Sequence, residues 1–287
     1  MPEGHTLFRL ARDLTEAFAG RPTRVSSPQG RFAADAALLD GHRLVGAQSA
    51  GKHLFVEFSG ERFIHVHLGL IGRFDIGTFD ARAERLPEPV GVVRLRLVSA
   101  PLEDGTTSYA DLRGATRCDL VGPEKRAEVI AGLGPDPLRA DADPDQAWQR
   151  IRRSHRPIGD LLMDQAVVAG VGNVYRAEVL FRARMHPLRP GSSLRRSQFD
   201  AIWDDLVALM AEGVRVGRID TVRPEHTPQA MGRHPRVDDH GGEVYVYRRH
   251  GQECHVCGAR VRSDTLVGRN LFWCPRCQPA FRSRALG

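Results

Sequence analysis

Apolar residues in the first twenty positions recur at Leu7, Leu10, Ala11, Leu14 and Phe18. This i, i+3, i+4, i+7 spacing marks one face of a helix and predicts a helix over Thr6–Ala19. The period then changes. Short apolar runs follow at Arg43–Ala47, Leu54–Phe58, Phe63–Leu68, Gly72–Ile76, Val92–Leu97, Thr107–Ala110 and Ala115–Val121, separated by Gly, Pro, Asp or Ser. Seven short strands between Thr23 and Val121 predict a β-sandwich or barrel-like sheet. Residues 122–144 are acidic and broken by Gly and Pro, and read as a linker. Helical spacing returns over Asp145–Arg153, Pro157–Val167, Asn173–Ala183 and Arg196–Gly213. Near the end, Ala259–Val261 and Leu271–Trp273 read as two strands around a polar turn. The fold class is therefore α+β: a sheet domain over 2–121, a linker over 122–144, a helical domain over 145–240 and a β-ribbon over 241–287.

The chain has 287 residues, 41% hydrophobic and 26% charged, which fits more than one packed domain and excludes a disordered chain. It has no apolar run of the roughly 18–20 residues that a membrane span needs, and its first residues lack the apolar stretch of a secretory signal. A cytoplasmic protein is expected, with no membrane partner. The net charge of +6 favours an anionic partner such as nucleic acid. That charge is concentrated. From Gly241 to Gly287 eight arginines face only Glu243, Glu253 and Asp264, a surplus of five. This is either a solvated basic tail or the footprint of a phosphate backbone. Of the 41 basic residues only Lys52 and Lys125 are lysines, so each lysine invites a question.

Four of the five cysteines lie in the basic tail, as Cys254-His-Val-Cys257 and Cys274-Pro-Arg-Cys277. Two CxxC knuckles at this separation have the spacing of a closed four-cysteine zinc site. Two disulfides would be the alternative, disfavoured in a reducing compartment. One structural Zn2+ is expected, and its binding would supply the folding energy of a ribbon too small for a core. Cys118 reads as a small buried hydrophobe.

Two further places could carry chemistry. Gly170-Val171-Gly172-Asn173 interrupts two helices, with Asn173 in the N-cap position. Such a start exposes unpaired N–H groups to an anion, although it equally serves as a tight turn. At the N-terminus, removal of Met1 would expose the secondary amine of Pro2 beside Glu3. An α-amino group titrates near 8 against about 10.4 for lysine, so far more of it is a free nucleophile at neutral pH. Glu3 could act as the general acid or base. An ordinary chain start remains the other reading.

MPEG at the start, GKHLF at Gly51–Phe55, GVGNVYRAEVLF at Gly170–Phe181 and CHVCG…GRNLFWCPRCQ at Cys254–Gln278 occur in one order. Together they resemble the formamidopyrimidine-DNA glycosylase/endonuclease VIII family over nearly the whole chain. The resemblance implies an N-terminal β-sandwich with flanking helices, a helix–two-turn–helix domain and a C-terminal zinc ribbon, with DNA in the cleft between the halves. It implies a bifunctional DNA glycosylase/AP lyase, acting as a monomer on double-stranded DNA with damaged bases or abasic sites. In this role Pro2 attacks C1′ of a flipped-out nucleotide and forms a Schiff base, and β,δ-elimination then cuts the strand. Glu3 assists opening of the sugar ring, Lys52 contacts phosphate beside the lesion, and Asn173 and Arg269 grip phosphates.

The PEG start resembles the endonuclease VIII branch, whose substrates are mostly oxidised pyrimidines. Leu70 and Ile71 fall where that branch places an intercalating loop, and are wedge candidates unless they pack in the core. Three departures stand out. His5-Thr6 replaces a second acidic residue, and Gly69 stands where a polar intercalating residue is common. Asp111-Leu112-Arg113-Gly114-Ala115 keeps the hairpin arginine of the guanine-oxidation branch, a DNA-contact candidate, without its aromatic neighbour. An oxidised-purine glycosylase and a non-catalytic abasic-site binding protein are the alternatives. The stretch Arg215–His240 could cap the lesion or merely connect elements.

Overall fold

The computed structural model describes residues 2–237 and 242–281. Within it the chain forms two compact units, Met1–Gly132 and Leu133–Gly287.

The first unit opens with α1 (Gly4–Phe18), β1 (Thr23–Ser26) and α2 (Ala33–Leu39). Seven strands follow: β2 (Leu44–Ala50), β3 (His53–Phe58), β4 (Arg62–His67), β5 (Arg73–Asp80), β6 (Val93–Ser99), β7 (Thr106–Arg113) and β8 (Arg117–Val121). They build two antiparallel four-stranded sheets, in the orders β1-β6-β7-β5 and β2-β3-β4-β8. Both contribute to one core, in which Leu54, Val56 and Ile64 of one sheet join Leu95, Leu97 and Leu112 of the other. α1 buries Leu7, Leu10, Leu14 and Phe18, the apolar stripe seen in the sequence. Thr15 fixes α1 to β2, its Oγ1 accepting the Ala47 N–H at 2.8 Å. All seven strands expected from the pattern are present. β1 and α2 were not expected: TRVS holds one apolar residue, and α2 buries only Ala36 and Leu39. Part of the expected linker is also helical, as α3 (Pro123–Ala131), which starts on a proline and buries no residue.

The second unit contains α4 (Pro144–Arg152), α5 (Ile158–Leu161), α6 (Asn173–Arg182), α7 (Arg196–Val216) and α8 (Pro228–Met231). The ribbon hairpin is β9 (Arg262–Leu266) with β10 (Arg269–Trp273). The helix expected over Pro157–Val167 stops at Leu161. Beyond it the chain runs through turns, in which the Asp164 carboxylate accepts the Ala166 N–H at 3.0 Å. The first ribbon strand begins at Arg262 rather than spanning Ala259–Val261. The segment Arg215–His240 is not a plain loop. Its first two residues end α7, and Pro228–Met231 is helical. Residues 238–241, including His240, lie outside the described residues, as do Arg282 and Arg284 of the basic tail.

α6 is buried from Asn173 to Phe181, all round its axis, yet carries three strongly polar residues, Asn173, Arg176 and Glu178. Glu178 has no solvent exposure. Its Oε1 accepts the N–H groups of Val246 and Tyr247 at 2.9 and 2.8 Å. Its Oε2 accepts the Tyr245 N–H and the Thr221 hydroxyl, both at 2.6 Å. One carboxylate thus satisfies three successive backbone donors of the segment leading into the ribbon. Replacing Glu178 with Gln would aim an amide donor at donors. We expect Glu178→Gln to lower unfolding stability by roughly 2–4 kcal/mol, read by chemical denaturation. A loss below about 0.5 kcal/mol would contradict this role for the carboxylate.

Candidate active site and zinc ribbon

The expected site residues fall into two groups, one in each unit. In the first unit Pro2 is partly exposed and Glu3 is fully buried at the N-cap of α1. Glu3 gives its backbone carbonyl to the Thr6 N–H at 2.9 Å and does not cap the helix with its side chain. The Pro2 nitrogen therefore stands just ahead of the positive end of a 15-residue helix. His5, the second residue of the helix, is held to about 4 by burial first, then by the positive chain terminus and Arg9. It adds no positive charge near neutral pH.

Lys52 is the second residue of the turn that joins β2 to β3. Ala50 pairs with His53, leaving a two-residue loop. Gly51 takes its first position with φ 56°, where a type II′ turn needs glycine. Behind this turn lies a histidine array. His53 Nδ1 and His65 Nε2 stand 2.8 Å apart, and His65 stacks on Phe55 with ring centroids at 4.6 Å. His67 hydrogen-bonds the Thr116 hydroxyl at 3.0 Å. His53 is lowered to about 4, chiefly by burial and then by His65, His67, Arg117 and Lys52. His65 falls to about 4 by burial and Arg117, and His67 falls by burial and Lys52. Burial is thus the main reason these imidazoles are neutral, with Lys52 a smaller contributor at His53 and His67.

Leu70 and Ile71 form the tip between β4 and β5, and are 55% and 81% exposed. Packing in the core is not their role. Arg113 is committed elsewhere: its guanidinium donates to Asp75 at 2.7 Å and to the Val90 carbonyl at 2.8 Å. Cys118 is buried, and burial pushes its thiol up to about 12, which suits an inert packing residue.

In the second unit Gly172, not Asn173, is the N-cap of α6. The preceding turn is clamped by Gln165, whose amide donates to the Val171 carbonyl at 3.0 Å and accepts the Gly170 N–H at 3.0 Å. Asn173 therefore sits in the first helical turn with its side chain turned toward the ribbon. Its Nδ2 donates to the Asn270 carbonyl at 3.0 Å, and its Oδ1 accepts from Arg176. Arg176, 1% exposed, also donates to that carbonyl, at 2.9 Å, and to Gly159 at 3.2 Å. Asn173 and Arg269 are thereby brought together, because Arg269 adjoins Asn270 and opens β10 exposed to solvent.

The four ribbon cysteines come together, with all four Sγ atoms within 4.8 Å of one another. Two pairs stand at 3.9 Å, Cys254 with Cys277, and 3.4 Å, Cys257 with Cys274. Thiolates about 2.3 Å from a tetrahedral zinc stand about 3.8 Å apart, so the cluster fits one structural zinc. Burial pushes Cys254 up to about 11. A dication would supply the charge that lets four thiolates share this space. Gln278 locks the second knuckle: it is fully buried, accepts the Cys274 N–H at 2.9 Å and donates to the Met185 carbonyl at 2.8 Å.

Arg176, Glu178, Gln165 and Gln278 were missed in the sequence. Their one visible signal is polar side chains inside or beside strongly apolar helical text.

A two-sheet domain followed by a helix–two-turn–helix domain and a four-cysteine ribbon defines a class, the DNA glycosylases of base excision repair that also carry AP lyase activity. Family models match here as the formamidopyrimidine-DNA glycosylase N-terminal domain over residues 1–118 and its H2TH domain over 133–224. A zinc finger found in FPG and IleRS matches residues 251–280. The chain is 54% identical over 283 residues to Endonuclease 8 1 of Mycobacterium tuberculosis (strain ATCC 25618 / H37Rv), covering 97% of this chain and 100% of that protein. It is 33% identical over 252 residues to the formamidopyrimidine-DNA glycosylase of Mycobacterium avium (strain 104), covering 85% and 83%. Its fold matches Lactococcus lactis Fpg, solved with abasic-site DNA, with a TM-score of 0.75 and 23% identity over 97% of this chain and 100% of that one. The chain belongs to the formamidopyrimidine-DNA glycosylase/endonuclease VIII family, on its endonuclease VIII branch. No helix among the described residues is long and apolar enough to cross a membrane.

The histidine array makes stability depend on pH. In the folded chain His5, His53 and His65 titrate at about 4, against an ordinary 6.5. Between those values the unfolded chain binds more protons, so stability is full above about 6.5 and is lost as pH falls toward 4. The melting temperature should drop between pH 7.5 and about 5, and His65→Asn should flatten part of that slope. A melting temperature constant over that window would contradict the assignment.

Proposed function

We propose that this protein is a bifunctional DNA glycosylase/AP lyase that removes oxidised pyrimidines and cuts abasic sites through the Pro2 amine. The observation that carries the reading is the buried Glu3 carboxyl directly after Pro2 at the positive end of α1. With Met1 removed, the Pro2 nitrogen attacks C1′ while the glycosidic bond breaks and the base leaves with a proton. Glu3 gives a proton to the sugar ring oxygen, the ring opens, and an iminium joins C1′ to the proline. The iminium acidifies C2′. Loss of a C2′ proton expels the 3′ phosphate, and a second elimination expels the 5′ phosphate. Water then frees the proline amine. A secondary amine at the chain start and a carboxyl withheld from water suit this sequence.

DNA is the partner. Lys52 takes a phosphate beside the lesion, as a compact ammonium backed by neutral histidines. Asn173 and Arg269 take phosphates at the α6–ribbon junction. The nucleotide is extruded from the duplex, because its C1′ is otherwise hidden in the stack. Exposed Leu70 and Ile71 suit the wedge that fills the gap. Arg113 has no part in this reading, because its guanidinium is bound to Asp75 and Val90. The preference for pyrimidines is supported by higher identity to Endonuclease 8 1 than to a formamidopyrimidine-DNA glycosylase. The protein acts as a monomer in the bacterial cytoplasm.

Duplexes carrying one oxidised base each test this. We expect oxidised pyrimidines to be excised and both sugar–phosphate bonds cut, with 8-oxoguanine opposite cytosine at least about tenfold slower, a barrier difference of about 1.4 kcal/mol. Excision of 8-oxoguanine without pyrimidine activity would overturn the substrate class. Tight binding with no strand cleavage would overturn the chemistry.

A further inference from the structure

The ribbon tip holds a residue that its turn does not favour. β9 and β10 pair with Leu266 opposite Arg269, so Val267-Gly268 is a two-residue loop. Both residues have positive φ, 47° for Val267 and 69° for Gly268. This is the type I′ pattern, which prefers Asn-Gly. A β-branched side chain in the left-handed region is a steric outlier. Nothing nearby compensates it, since Val267 is 74% exposed. A strained backbone and an unshielded isopropyl group at one position both oppose folding stability, and such strain gathers at functional positions.

The rest of the hairpin is well held. The Asn270 carbonyl accepts from Asn173 and Arg176 at its α6 side. Leu266 Cδ2 lies 3.5 Å from where a Gly159 Cβ would stand. The tip therefore projects from a fixed base, with Val267 no more than about 7 Å along the chain from Arg269. Successive phosphates of a DNA strand are separated by deoxyribose, whose C–H face is the apolar surface within that reach of a phosphate.

We propose that Val267 is a DNA-contact residue, its side chain seated on the deoxyribose beside the phosphate that Arg269 holds. The inference rests on the proposed DNA role of the ribbon. It assigns the apolar half of the contact to a residue that the turn would otherwise replace with Asn.

The test compares Val267→Asn, Val267→Gly, Val267→Ile and Arg269→Ala in the full-length zinc-loaded protein. Binding to an abasic-analogue duplex, melting temperature and zinc content are measured for each. Val267→Asn and Val267→Gly should melt no lower than the parent and keep zinc, yet bind about fivefold more weakly, the size expected for losing part of one buried apolar side chain. Val267→Ile should bind within about twofold of the parent, because it keeps the apolar contact. If Arg269→Ala weakens binding while Val267→Asn and Val267→Gly bind like the parent, this inference fails and the ribbon reading stands. If Arg269→Ala also binds like the parent, the ribbon reading fails and the inference with it.

Discussion

The second unit depends on the polar residues buried in α6. A helix enclosed on every side would ordinarily be apolar throughout. Here Glu178 takes the N–H groups of Tyr245, Val246 and Tyr247, which belong to the strap running into the zinc ribbon. Five and two residues N-terminal, Asn173 and Arg176 take the Asn270 carbonyl on the ribbon's returning strand. Gln278 adds a third tie, from the second cysteine knuckle to Met185 just past α6. Zinc closes the ribbon on itself, and these bonds set its orientation on the helices. Each is costly to leave half made, because a buried donor or acceptor that loses its partner cannot recover it from water.

The same arrangement links structure to chemistry. Arg269 and Asn173 lie on different elements separated by about a hundred residues of chain, yet the bond from Asn173 to the carbonyl of Asn270, the next residue after Arg269, holds them at one junction. In the first unit the logic is electrostatic. The proline amine precedes a helix N-terminus, and His5, His53, His65 and His67 are all pushed toward neutrality. The positive charge around these imidazoles comes instead from Lys52, Arg117 and, beside His5, Arg9.

Much of this was legible in the sequence. The α1 stripe, the seven strand runs and the α6 and α7 spacings arise from burial on one face or within one core, which periodicity reports directly. The cysteine knuckles were legible because tetrahedral coordination imposes their spacing. Other features were hidden for physical reasons. β9, RSDTL, is mostly exposed and has no apolar run, whereas the apolar Val261 packs beneath the knuckles and imitates a strand. The Pro157–Val167 spacing was misleading because Leu162 and Val167 are buried from turns beyond the end of the helix at Leu161. Arg176, Glu178 and Gln278 each have a partner 67 to 94 residues away, which local pattern cannot reveal. Asn173 was recognised by resemblance, but its placement one residue inside the helix, facing the ribbon, came only from the fold.

The central claim is that the amine of Pro2, and no lysine, forms the covalent link to DNA. The most direct measurement is borohydride reduction of the protein on an abasic-site duplex, followed by intact mass and peptide mapping. The account predicts one stable adduct, on the Pro2 nitrogen of chains that have lost Met1, and its disappearance in Pro2→Gly. An adduct on Lys52 or Lys125, or no adduct from a protein that still cuts abasic sites, would contradict it.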